Sequence, residues 1–191
     1  SLNIVMAVAL CSALLVADEA KSDFGVSANV ALTSNYVWRG MTQTKDRAAL
    51  QGGVDLTYKN GYFGVWASNA SYVDSPISYE VDAYGGYADE AYGIGYDLGF
   101  QACSYSNDHK GSDYGQWTLG LSKKIDIVKI GVKGYKAFKT NTYLPSNAVE
   151  STVAVSLPQD FTADFLLGHY YDNGTYYQAG ISKSLNEMFS V

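Results

Sequence analysis

Few stretches of this chain carry residue types that could do covalent or metal chemistry. The segment SYSNDHKGSD, Ser104 to Asp113, gathers His109 with Ser104, Ser106, Asp108 and Asp113. Such side chains serve as nucleophiles, bases and metal ligands elsewhere. Here they crowd into one polar run, with no Gly-x-Ser-x-Gly elbow and no metal-ligand spacing. The run reads as an exposed loop. His169, in LLGHYYDNG, has no convincing partner either and reads as an interfacial or inward polar position. No glycine-rich helix start is present to cradle a phosphate. The expectation is a protein that is not an enzyme and uses no cofactor and no metal.

A more informative set is spread along the chain. Asp55, Glu80, Asp82, Asp97, Glu150 and Asp164, with Lys59, Lys129 and Lys133, each sit at the polar positions of an alternating segment. In ALQGGVDLTYK the apolar phase is Leu50, Val54, Leu56 and Tyr58, and the other phase holds Gln51, Gly53, Asp55 and Thr57. YGIGYDLGFQAC sets Ile94, Tyr96, Leu98 and Phe100 against Gly95, Asp97, Gly99 and Gln101. IVKIGVKGY sets Val128, Ile130 and Val132 against Lys129, Gly131 and Lys133. A period of two is the signature of a strand whose faces meet different media. If the phases hold, the charged residues share one face, acidic on balance, and would favour cations inside a confined space.

The elements that would position these residues are strands almost throughout, about ten of them, each near the length a tilted strand needs to cross a bilayer. They are expected at roughly 24–37, 48–59, 62–72, 77–87, 92–105, 114–124, 126–138, 148–157, 161–171 and 175–185. Short connections (Asn60-Gly61, ADEA, KID, PQD) alternate with longer polar ones (RGMTQTKDRA, VDSP, SNDHKGSD, KTNTYLPSN). The short Asp172-Asn173-Gly174 turn alone falls on the long-loop side. Such asymmetry is expected of an up-and-down barrel with tight turns at one end and loops at the other. The fold class expected is therefore all-β, an antiparallel up-and-down transmembrane β-barrel of about ten strands. A lipocalin-like barrel or β-sandwich also alternates, but turns its charged face to bulk water.

Composition agrees. The 191 residues are 47% hydrophobic with 17 Tyr, 19 Gly and only 3 Pro, and the net charge of −6 argues against a nucleic-acid partner. Mean hydropathy is −0.10, too low for helical membrane spans and compatible with a barrel. Tyr36, Trp38, Tyr58, Tyr62, Tyr72, Tyr87, Tyr92, Tyr105, Tyr114, Trp117 and Tyr171 lie near strand ends, where membrane barrels carry aromatic girdles.

The first residues read differently. IVMAVALCSALLVA, Ile4 to Ala17, followed by DEAKSD, has the form of a secretory h-region cleaved near Ala17 or Ala20. The expected organisation is a signal peptide over 1–20, an outer-membrane barrel over 23–185 and an extension over 186–191. Removal of the leader would take Cys11 with it and leave Cys103 without a partner for a disulfide.

One stretch goes beyond pattern. SANVALTSNYVWRGMTQTKDRAALQGGVDLTYKNGYFGVWASN carries TS-Y-WRG-TQT, then ALQGG-D, then GVW-SN. It resembles the proteobacterial porin family known as TorF-like, also catalogued as Gcw-type conserved proteins. Weaker likeness runs through YEVDAYGGY to GISKSL. The resemblance implies an outer-membrane β-barrel with a pore role and supplies no catalytic residues. The chain departs from a membrane-barrel ending by running past Leu185 as NEMFSV.

The expected function is a porin passing small ions or polar solutes through a mildly acidic lumen, located in a bacterial outer membrane. The alternative is a non-conducting structural or recognition barrel acting through loops at 38–47, 106–113 and 139–147. Expected partners are outer-membrane lipid and small ions or polar solutes. Arg39 has two readings: a constriction residue folded into the lumen, or a loop anchor beside a positive-φ Gly40.

Overall fold

A computed structural model of the chain describes residues 7–14, 23–108, 111–139, 147–171, 173–186 and 188–191. Within these, the protein is all β, with no helix. The ten alternating segments form β2 (Phe24–Thr33), β5 (Ala49–Tyr58), β6 (Gly61–Asn69), β7 (Tyr79–Ala91), β8 (Ile94–Tyr105), β9 (Tyr114–Ile125), β10 (Val128–Lys139), β11 (Asn147–Leu157), β12 (Phe161–Tyr170) and β13 (Gly174–Lys183). Each pairs antiparallel with the next in one meander. Three further short strands stand apart from the expected ten. β1 (Ala7–Leu14) pairs with β2, and β3 (Val37–Trp38) with β4 (Met41–Thr42) makes a small separate ribbon.

The turns at one end are tight. Tyr58 pairs with Gly61, Ala91 with Ile94, Ile125 with Val128, and Leu157 with Phe161. Their linkers adopt left-handed backbone at Lys59, Tyr92, Gly93, Asp126, Gln159 and Asp160. Positive φ at both central residues, as at Tyr92-Gly93, matches the twist of the flanking strands. Two expected turn positions move: Lys59 bends rather than Gly61, and β7 runs through Ala91 rather than turning at ADEA. The opposite end carries the longer connections, and the short turn after Tyr170 stays there, as the sequence indicates.

β2 was expected to reach residue 37 and stops at Thr33. The reason is Asn35, which is buried and gathers the returning chain. Its Oδ1 accepts from the Thr42 and Thr44 hydroxyls at 2.7 and 3.1 Å, and its Nδ2 donates to Asp46 at 2.8 Å. Those bonds turn the backbone out of the sheet and start the β3–β4 ribbon. Arg39 and Gly40 form its two-residue tip with φ of 47° and 80°, the geometry of a tight hairpin.

The ribbon also reveals how far the sheet rolls. Tyr36 packs its ring on Trp66 of β6 at 5.4 Å, while a methyl at Gly40 would meet Cβ of Tyr176 on β13 at 3.0 Å. On a flat sheet those strands would lie about 34 Å apart at roughly 4.8 Å per step. Four residues of chain span about 14 Å at most. The sheet is therefore curled around the ribbon. Of the expected barrel, the described residues form a rolled antiparallel meander in which no ladder joins β13 to β1 or β2. β1 lies along β2, and Val191 exchanges backbone hydrogen bonds of 2.7 and 2.9 Å with Lys183 at the foot of β13. As for the expected leader, residues 1–6 and 15–20 lie outside the described residues.

Candidate functional site

The rolled sheet presents two faces of opposite character. Outward positions hold Val30, Leu50, Leu98, Trp117, Leu119, Phe165 and Ile181, all exposed. Inward positions hold Gly, Ser, Tyr, Gln and the acids. This is the inverse of a soluble sandwich, where the apolar phase is buried.

Three acids are clasped by tyrosines that reach across glycines. Tyr84 on β7 lies over Gly64 on β6 and donates to Asp55 on β5 at 2.5 Å. Tyr176 on β13 lies over Gly168 on β12 and donates to Glu150 on β11. Tyr62 on β6 crosses Gly86 and Gly99 to donate to Asp97 on β8 at 2.7 Å. A methyl on Gly64 or Gly168 would overlap the tyrosine ring. Glycine is required there because a side chain from the next strand occupies its space.

Arg39 packs onto the inner face of β9 to β12, its side chain only 3% exposed. The guanidinium lies over Trp38 and Tyr135 at 4.4 Å and over Tyr170 at 4.8 Å. Its Nε is 3.8 Å from Glu150 Oε1, an ion pair rather than a hydrogen bond, and Nη2 donates a long bond of 3.4 Å to Gln116. Glu150 also accepts from Tyr135 at 2.6 Å. From Gln116 the bonds continue: Gln116 donates to Gln101 at 2.7 Å, and Gln101 to Asp82 at 2.6 Å. Arg39 thus belongs to an inward-folded ribbon, so the first part of the 38–47 loop packs inside while Lys45, Asp46 and Arg47 stay exposed. Gly40 does supply the positive-φ turn of the anchoring reading.

A second cluster adjoins the base of the ribbon. Glu80 and Asp82 on β7 and Cys103 on β8 are 2%, 5% and 3% exposed. Tyr105 donates to Glu80 at 3.1 Å, and Cys103 packs with Ala70, Ile77, Tyr105 and Tyr114 against Trp38 and Tyr72. Tyr72 donates to Gln43 of the ribbon, and Ser71 N–H to Gln43 carbonyl at 2.8 Å.

The charged residues singled out from sequence therefore separate into groups. Asp55, Asp97 and Glu150 are clasped; Lys133 adds an ion pair to Asp97 at 3.4 Å. Glu80 and Asp82 share the buried cluster. Asp164 lies beside Gly180, where a methyl would meet its carboxylate at 2.9 Å. Lys129 is exposed near the tight-turn end, and Lys59 sits in a turn with its ammonium 5.4 Å from the Tyr58 ring, not on the inner face. His109 lies outside the described residues, while Asp113 accepts from Ser104 and from the Tyr105 N–H and Asp108 from Ser112, bonds that shape the loop. His169 faces outward beside Thr175 and Tyr171. Residues 140–146 of the third loop also lie outside the described residues.

Several contributors escaped the sequence reading. Tyr36, Trp38, Tyr62, Tyr72, Tyr105 and Tyr114 were assigned to aromatic girdles and instead line or pack against the inner face. Only Tyr58, Tyr87, Tyr92, Trp117 and Tyr171 of that set are exposed. The signal available was parity: Tyr105 is in phase with Asp97 and Gln101, and Tyr114 with Gln116.

No curated protein and no solved structure matches this chain. The family of bacterial proteins of unknown function designated Gcw_chp matches residues 17–187, and the chain belongs to it.

Proposed function

We propose that the chain is an integral β-barrel of a bacterial outer membrane, a narrow pore for small ions whose bore is set by the β3–β4 ribbon. The observation that carries this reading is the inverted sheet, apolar outward across β2 to β13 and polar inward. An exposed apolar face of that extent calls for lipid or a partner, and tight turns at one end with loops at the other suit insertion from the periplasm. The resemblance of Ser27 to Asn69 to TorF-like porins points the same way. Closure follows in this reading once β1 leaves with the signal peptide, freeing the β2 edge to meet β13. Among sheets, only a closed barrel satisfies every backbone group in lipid.

Within the bore, Asp55, Asp97, Asp164, Lys129 and Lys133 lie between the ribbon and the tight-turn end, while Arg39 and Glu150 sit at the narrowest level. The acids favour cations. One observation supports a sealed barrel acting through its outer loops instead: the ribbon tip is packed among rings from three strands, with Arg39 almost wholly enclosed.

The test has two parts. Expressed with its leader, the chain should fractionate with outer membranes and migrate faster on gels unless boiled; recovery as a soluble periplasmic protein would end the membrane reading. In planar bilayers under a salt gradient, small cation-favouring steps are expected, and larger ones when residues 36–43 are replaced by a short glycine turn. An inserted protein silent in both forms would reject the pore and leave the sealed barrel.

A further inference from the structure

We propose that Glu80, Asp82 and Cys103 form a buried site for one divalent transition-metal ion of the zinc type. Asp82 and Cys103 face each other directly in the β7–β8 ladder, and Glu80 is the next residue along the same face. Each offers a donor atom, and these atoms lie within 4.8 Å of one another. A tetrahedral ion with bonds of about 2.0–2.3 Å holds its ligands roughly 3.3–3.8 Å apart. Small side-chain rotations close that difference.

An independent observation points to a ligand. Oε2 of Glu80 and Oδ1 of Asp82 expose less than 1 Å² and have no hydrogen-bond partner. The companion oxygens are held in place, Glu80 Oε1 by the Tyr105 hydroxyl and Asp82 Oδ2 by the Gln101 amide. Such bonds to the back of a carboxylate orient it as outer-shell partners do around metals. Among the described residues no lysine or arginine pairs with either acid; Arg39 pairs with Glu150 and Lys133 with Asp97. Two carboxylates out of water must be neutralised. Either a proton is shared between them or a cation is bound.

The donor set selects the cation. Calcium and magnesium want six or more oxygens and gain nothing from a thiol. A thiolate with two carboxylates suits zinc or cobalt, with a fourth position for water. Binding would release the thiol proton together with any proton held by the acids. The ion would brace the floor on which Trp38 and Tyr72 pack, at the root of the ribbon. None of this depends on whether the barrel conducts.

The experiment uses chelator-stripped, folded protein in detergent, titrated with cobalt(II) alone and then with zinc(II). The expected result is a near-ultraviolet thiolate-to-cobalt absorption that saturates at one equivalent and is displaced by zinc. The band should vanish in Cys103→Ser and persist in protein that has lost the leader, and Cys11 with it. Affinity should fall at least about tenfold in Glu80→Gln and Asp82→Asn. Wild-type protein without the band overturns the proposal whatever the variants do, and so does a band that survives Cys103→Ser. Either result would assign the pair a shared proton.

Discussion

At the scale of single residues, Arg39 is held more by shape than by hydrogen bonds. Three rings lie within 4.8 Å of its guanidinium carbon, whereas its closest carboxylate contact is 3.8 Å. A flat, weakly hydrated cation can stack in this way and a lysine ammonium cannot. Arg39→Met would leave Glu150 enclosed without its counter-charge, a loss of about 3–5 kcal/mol if the pair behaves as buried pairs do. Arg39→Lys should recover only part of it. The urea midpoint of the folded gel species measures both, and equal midpoints for the wild type and Arg39→Met would show that the ribbon is not anchored there.

Elements are joined by the tyrosines that lie across glycines. Each clasp links three successive strands: β5 to β7 through Asp55, Gly64 and Tyr84, and β11 to β13 through Glu150, Gly168 and Tyr176. Glycine normally weakens a strand, since it has nothing to pack and loses more freedom on folding. Here the neighbouring ring restores the packing. Gly64→Ala and Gly168→Ala should each destabilise the folded protein by about 1–3 kcal/mol through overpacking. Tyr84→Phe and Tyr176→Phe remove only the hydroxyl and should cost less. A smaller effect of Gly168→Ala than of Tyr176→Phe in the same unfolding assay would contradict the clasp.

For the molecule as a whole, the decisive property is the inversion of its faces. Leu119 is 56% exposed on the outer face of β9, while Ser122, of opposite parity on the same strand, faces inward. If lipid covers the outer face, Leu119→Arg should cost about 2–4 kcal/mol near the bilayer midplane, and Ser122→Arg far less. Equilibrium folding into vesicles of phosphatidylcholine reads both. Similar penalties at the two positions would remove the argument for lipid contact.

Alternation alone determined the ten strands of the meander, the antiparallel pairing of neighbours and the division between tight turns and loops, because a period of two is a local property. It also placed Asp55, Asp97, Glu80, Asp82 and Glu150 on one face, since parity propagates along each strand. Tertiary structure decided what those residues meet. That Asn35 ends β2 and turns WRG inward depends on Thr42, Thr44 and Asp46 returning to it. That Tyr84 selects Asp55 depends on Gly64 on the strand between them, and that Cys103 joins two acids depends on the β7–β8 register. Parity assigns a side chain to a face, but register and roll assign its partners, and both of those are set by contacts far apart in the chain.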